Sequence, residues 1–194
     1  MPHRILPSWL GEDQAARLLS YAVSEQARFT PTKVVLEGVR KSLVDGSLRR
    51  SLVLRDLGPF DGLLRDKALA LQPELETAFG MSHRAPAEAE IELVAHGDGG
   101  FYRPHIDTFT GDGDSAGANR RLSLVYYFHR RPRAFSGGRL RLLALDGSQP
   151  VAIEPTHDSL LAFPSFAPHE VEPVSSPQDS FENCRFAVNI WLCS

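Results

Sequence analysis

The chain has only two cysteines in 194 residues, Cys184 and Cys193, and no Cys-x-x-Cys pair. That excludes a disulfide framework and a cysteine-based zinc site, and it fits a reducing compartment. No run approaches the ~18 apolar residues of a membrane span, and the first residues lack the apolar core of a signal peptide. The expectation is a cytoplasmic protein with no membrane partner. A basic excess is missing too: the formal net charge of −3 gives no electrostatic case for a nucleic-acid partner, and none is expected. The local basic clusters, Arg49 with Arg50 and Arg130, Arg131 with Arg133, read as solvated loop charges. There is no internal repeat and no low-complexity tail. What is present, 42% apolar and 23% charged residues, suits one globular domain with a real core.

Ala15, Leu18, Leu19, Ala22 and Val23 recur at helical spacing behind acidic Glu12 and Asp13. This predicts an amphipathic helix over 12–28, lying on the outer face of a sheet. Residues 29–57 switch to strand-like runs, Lys33–Leu36, Leu43–Val44 and Ser51–Leu54, with a turn at Asp45-Gly46. A second helix places Phe60, Leu63, Leu64, Ala68 and Leu71 on one face, and Pro73 begins a further helical turn through Phe79. From Ala89 onward, short strands separated by Gly, Pro and Asp are predicted near 89–96, 101–107, 121–129, 138–144, 150–153, 158–163, 169–174 and 184–192. The pattern is mainly β with N-terminal helices, a sandwich or barrel. Residues 1–194 read as a single domain, 1–88 supplying helices and supporting strands and 89–194 the β core. Thr108–Asn119 and Glu172–Asn183 read as mobile loops placed to act as lids.

The chemistry concentrates in His105-Ile106-Asp107, His169 and Arg185. On a strand, residues i and i+2 share a face, so His105 and Asp107 present their ligand atoms together and Ile106 turns away into packing. His169, preceded by Pro168, must then come from an opposing strand. Two imidazoles and one carboxylate form a facial triad that suits non-haem Fe(II) and leaves positions open. The last strand offers an internal check. Phe186, Val188 and Ile190 form one face, which packs under the helices; Arg185, Ala187, Asn189 and Trp191 form the other, facing a barrel interior. A buried arginine needs an anion, either a bound carboxylate held bidentately or an internal Glu or Asp. His3, His83, His129 and His157 lack a partner at ligand spacing and read as structural. Trp191 reads as core, and Gly111-Asp112-Gly113-Asp114 as turn chemistry.

From Glu90 to Trp191 the chain resembles the prolyl 4-hydroxylase-like branch of the 2-oxoglutarate/Fe(II) dioxygenases. The matching stretches are His96–Asp107, Arg121–Phe128, Ser136–Arg141, Ile153-Glu-Pro, Asp158–Phe163, Pro168–Val171 and Arg185–Trp191. The resemblance implies a double-stranded β-helix, a cupin-like jelly roll, with supporting N-terminal helices. It implies that His105, Asp107 and His169 hold Fe(II) and that Arg185 binds the distal carboxylate of 2-oxoglutarate. Tyr127, Leu140 and Asn189 fall on positions lining the cosubstrate pocket, and Gly137-Gly138 lets the backbone approach closely. His96 stands where the family usually has tyrosine, as a cosubstrate contact or as a polar core residue. The gap from His169 to Arg185 is longer than usual.

The implied reaction consumes 2-oxoglutarate and O2 as cosubstrates, with ascorbate a candidate reductant, and hydroxylates an unactivated C–H bond. The expected substrate is a residue in a peptide or protein, proline foremost, with Val34–Leu54 as a finger over the bound peptide. The alternatives are a small-molecule or free amino-acid hydroxylase, a nucleic-acid demethylase, and a non-catalytic cupin-like binding module. A demethylase would normally show a second arginine after the final strand, and this sequence has Trp-Leu-Cys-Ser there.

Overall fold

Side chains that alternate in and out along the strands build this molecule around two facing sheets. A computed structural model of the chain describes residues 1–35, 42–85, 88–108, 119–144, 147–178 and 180–193. Its first half comprises strand β1 (Arg4–Pro7), helix α1 (Glu12–Ser24), strands β2 (Thr30–Pro31), β3 (Val34–Val35), β4 (Ser42–Leu43), β5 (Arg49–Arg50) and β6 (Leu52–Leu54), and helix α2 (Asp61–Ala78). The second half is β7 (Ala89–His96), β8 (Phe101–His105), β9 (Arg120–Phe128), β10 (Ser136–Gly137), β11 (Leu140–Leu142), β12 (Val151–Ile153), β13 (Ser159–Pro164), β14 (His169–Val171), β15 (Val174–Ser175) and β16 (Arg185–Cys193).

Seven strands form one sheet in the order β1-β13-β9-β16-β7-β6-β2, and five form the other in the order β12-β11-β14-β8-β5. The fold is the expected double-stranded β-helix. Strands from the first half complete both sheets, β6 pairing with β7 and β5 with β8.

Strand β16 decides how the layers pack. Its Phe186, Val188 and Ile190 join Leu18 and Ala22 of α1 and Leu64, Ala68 and Leu75 of α2 in the larger core. Each large apolar side chain buried there contributes roughly 1.5–3 kcal/mol. Its other face meets the smaller sheet, where Ala187 packs with Tyr127, Leu140, Leu142 and Phe163.

Several local expectations are corrected. Helix α1 stops at Ser24 and a 3-10 turn carries the chain through Gln26–Arg28. In α2 the buried stripe is Leu64, Ala68, Gln72 and Leu75, so Leu63 lies off it and is 37% exposed. Pro73 starts nothing new; it sits inside the continuous helix on its exposed side. Asp45 makes the predicted turn, its carboxylate accepting the Ser47 N–H at 2.9 Å.

The described residues of the Glu172–Asn183 segment, all but Asp179, are pinned by contacts at several points. β15 pairs with β10, Val174 N–H donates to Gly100, Ser176 N–H donates to Asp98, and Phe181 packs edge-on to Phe29. Of the other loop read as a lid, residues 109–118 lie outside the described residues, as do 36–41 of the finger segment.

Candidate active site

An irregularity in β8 aims the side chains. His105 pairs with His169 while Tyr102 pairs with Val171, so β8 carries one extra residue opposite β14. Such a bulge re-aims the chain. Here Tyr102 and His105, three residues apart, stack face to face at 3.5 Å between ring centroids. Asp107 lies beyond the end of β8, and its N–H donates to the Ser165 carbonyl at 3.0 Å. That bond continues the strand-like placement, so Asp107 still shares the site with His105. Ile106 does not turn into packing as expected: past the strand end no layer covers it, and it is 36% exposed.

The ligand atoms of His105, Asp107 and His169 all lie within 4.8 Å of one another. His105 Nδ1 and His169 Nδ1 each face a backbone carbonyl, of Arg103 and Ala167, at 2.9 Å. Only a protonated ring nitrogen donates to a carbonyl, so each ring commits its Nδ1 proton there and turns its Nε2 inward. Those Nε2 atoms stand 3.7 and 3.6 Å from the two Asp107 oxygens. Burial, followed by the neighbouring His169, pushes the His105 imidazole down to about 3, which keeps it neutral. Two imidazole Nε2 atoms and a carboxylate thus converge, a donor set that fits a divalent cation. Ser123 steadies it, its Oγ donating to Asp107 Oδ2 at 2.6 Å.

A cavity of about 840 Å³ opens beside this triad. At its closed end Arg185 is 1% exposed. Its Nε donates to the Gly138 carbonyl at 2.7 Å, and Nη1 lies 3.4 Å from His96 Nδ1. The close approach needs glycine: at Gly138, φ is +68° and a Cβ would come 2.7 Å from Arg185 Cδ. Among the described residues Arg185 has no carboxylate partner; its Nη2, Tyr127 Oη and His96 Nε2 are all buried without a hydrogen bond. Burial lowers Arg185 from its ordinary value. Burial and the Arg185 charge hold His96 well below its ordinary value, and burial pushes Tyr127 up to about 12. Because a guanidinium only donates, His96 Nδ1 accepts and Nε2 carries the proton. Arg185, Tyr127 and His96 therefore present three spare donors, the complement of one carboxylate.

Leu140 and Asn189 line the same cavity, Asn189 Nδ2 donating to Glu92 Oε1 at 3.4 Å. Trp191 is buried, as expected of a core residue, yet lines the cavity with the Arg120 guanidinium 3.8 Å above its ring. Arg49 departs most from expectation. It is not a solvated loop charge: its side chain is 9% exposed, it pairs with Glu92, and it covers the Tyr102 ring at 4.6 Å. Ser123, Tyr102 and Glu92 were not singled out from the sequence. A serine and a glutamate each standing inside an apolar run, Leu122-Ser-Leu-Val and Ile91-Glu-Leu-Val, were the available signals. The other histidines join no such cluster among the described residues. No described helix is long and apolar enough to cross a membrane.

The chain is similar to several known proteins. An uncharacterised PKHD-type hydroxylase from Synechocystis sp. is 28% identical over 96% of this chain, which spans 61% of that protein's length. A Pseudomonas putida prolyl-4-hydroxylase superposes with a TM-score of 0.69 at 23% identity, covering 100% of this chain and 93% of that one. A Trichoplax adhaerens prolyl hydroxylase, solved with a hypoxia inducible factor oxygen degradation domain peptide fragment, gives 0.68 at 19% identity, covering 99% and 83%. The sequence profile of the 2OG-Fe(II) oxygenase superfamily matches residues 91–193, and the chain belongs to that superfamily.

Proposed function

We propose that this protein is an Fe(II)- and 2-oxoglutarate-dependent hydroxylase acting on a residue, proline foremost, within a peptide or protein. The observation that carries the reading is the set of three buried unpartnered atoms, Arg185 Nη2, Tyr127 Oη and His96 Nε2, closing the pocket that holds the His105, Asp107 and His169 cluster. Bound Fe(II) supplies reduction of O2, coupled to decarboxylation of 2-oxoglutarate to succinate and CO2, with the second oxygen atom entering a substrate C–H bond.

The protein's own part is placement. His105 Nε2, His169 Nε2 and the Asp107 carboxylate hold the metal. Arg185 takes the far carboxylate of 2-oxoglutarate, with Tyr127 and His96 donating beside it. Leu140 and the buried wall around Arg185 exclude water from that end. Residues 1–88 work with the 89–194 core as a single domain, since β5 and β6 complete its sheets. The cytosol suits it, because neither Cys184 nor Cys193 is in a disulfide and reductants there, ascorbate among them, keep the metal ferrous.

The test is an anaerobic titration of metal-free protein with Fe(II) and 2-oxoglutarate, following the visible charge-transfer band of the chelate. The expected result is a band in the wild type that is absent in His169→Ala. No band at saturating iron would sink the oxygenase reading and favour a non-catalytic binding module.

A further inference from the structure

Beyond Arg185, the wall of the cavity carries charge that the reaction so far leaves unused. Among the described residues, and apart from the triad and Arg185, the charged side chains lining the cavity are Lys33, Arg49, Arg55, Arg103 and Arg120 against Glu90 and Glu92. Five cations face two anions, in a chain whose net charge is −3. Arg120 is accounted for, paired with Glu90 and stacked on Trp191. Glu92, in contrast, is shared by two guanidiniums, Arg49 at 3.4 Å and Arg55 at 3.7 Å. Both distances exceed the ~2.7–2.9 Å of a tight charge-assisted bond; Arg49 also donates to Ser51 Oγ at 3.0 Å, so Arg55 is the less committed of the two. Lys33 and Arg103 have no ion pair among the described residues, and both are exposed at the mouth.

2-Oxoglutarate does not use this surplus. Its two carboxylates are spoken for, one by Arg185 and the other by the metal. The remaining cations therefore await an anion that arrives with the substrate.

We infer that Lys33, Arg49, Arg55 and Arg103 form a subsite for a carboxylate borne by the substrate, an aspartate or glutamate close to the hydroxylated residue. The inference rests on the peptide-hydroxylase reading above. Planar guanidiniums suit a carboxylate in geometry, and a basic pocket on an acidic protein concentrates an anionic partner at the site. A nucleic-acid strand fits less well. Glu90 and Glu92 stand among the cations of the cavity wall, where they would repel successive phosphates.

The test uses intact protein loaded anaerobically with Fe(II) and 2-oxoglutarate, so that binding is read without turnover. Three fluorescein-labelled proline peptides, identical except for Asp, Ala or Lys beside the proline, are titrated by anisotropy. Unlabelled N-acetyl-aspartate serves as competitor, and a labelled single-stranded oligonucleotide serves as the nucleic-acid arm. The expected result is tightest binding of the Asp peptide, with the Lys peptide weakest. The double variant Lys33→Glu, Arg55→Glu should lose about tenfold for the Asp peptide, with the chelate band at unchanged 2-oxoglutarate concentration. Binding of N-acetyl-aspartate read directly by isothermal titration, with none of the peptides bound, would uphold the carboxylate subsite while removing the peptide reading. Equal binding of the three peptides, a preference for Lys, or a preference for Asp that survives the double variant would overturn the subsite. Tighter binding of the oligonucleotide than of any peptide would overturn the assigned occupant.

Discussion

The Arg185 guanidinium lies over the Tyr127 ring, 4.9 Å from its centroid, and each side chain ends in a buried polar atom without a partner. A buried cation with only a carbonyl, an imidazole and an aromatic face around it is poorly compensated. The site thus carries a folding cost that its ligand relieves. Arg185→Met should raise the thermal midpoint of the ligand-free protein, corresponding to about 1–4 kcal/mol. The same variant should weaken 2-oxoglutarate by about 2 kcal/mol or more, roughly thirtyfold. Thermal melts with and without 2-oxoglutarate read both; a variant less stable than wild type without ligand would contradict the account.

Ser123 acts on the metal site only through Asp107. Its Oγ donates at 2.6 Å to Asp107 Oδ2 and lies 2.9 Å from Ser165 Oγ. Losing an outer-shell partner of this kind typically costs 10–100-fold in metal affinity. Ser123→Ala should therefore weaken Fe(II) or Mn(II) binding by about that factor while leaving 2-oxoglutarate binding at saturating metal near wild type. Isothermal titration with Mn(II) separates the two, and an unchanged metal affinity would remove Ser123 from the positioning role.

Much of this site was legible in the sequence because strand periodicity is local. Alternation along Arg185–Trp191 correctly sorted Phe186, Val188 and Ile190 to the helices and Arg185 and Asn189 to the cavity. The spacing of His105 and Asp107 worked even though Asp107 lies past the strand, because a backbone bond to Ser165 continues the pattern. What local pattern could not show was the β8 bulge, which turns Tyr102 onto His105. Nor could it show that Arg49, adjacent to the exposed Arg50, faces Glu92. That pairing arises only when β5 joins β8 and β6 joins β7, contacts between segments some forty to fifty residues apart. Leu63 failed for a smaller reason: it is one residue off the buried stripe, where one step turns a side chain by about 100°.

Acid should destabilise the metal-free fold partly through His96. Burial and Arg185 hold its folded-state value well below the ordinary value near 6.5. The unfolded chain therefore binds a proton that the folded one refuses, in the window from about 6.5 down to the folded value. Stability falls as pH falls through that window, by up to about 1.4 kcal/mol per pH unit for one such group. His96→Gln keeps a polar donor and removes the titration. Its plot of unfolding free energy between pH 6.5 and 5 should be flatter than wild type by about that slope, as measured by denaturant melts at several pH values.

Asp158 joins the N-terminal helix to the barrel, and its contribution divides into two measurable parts. Its carboxylate accepts the N–H groups of Leu10 and Gly11 at 3.0 and 3.1 Å and the Tyr126 hydroxyl at 2.9 Å. It does so from a left-handed backbone, φ 55°, which aspartate tolerates better than most residues. Asp158→Ala loses the acceptor and keeps the unfavourable φ; Asp158→Gly loses the acceptor but accommodates the φ freely. Removing a buried charged acceptor from three donors should cost roughly 2–4 kcal/mol in either variant. The left-handed conformation adds about 1–2 kcal/mol to the alanine alone. The glycine variant should therefore melt between wild type and alanine, and Asp158→Asn, which keeps one acceptor oxygen, closest to wild type. Asp158 does not line the cavity, so each variant that folds should retain the 2-oxoglutarate chelate band. An alanine variant as stable as the glycine variant would show that backbone conformation plays no part and that the carboxylate alone holds the junction.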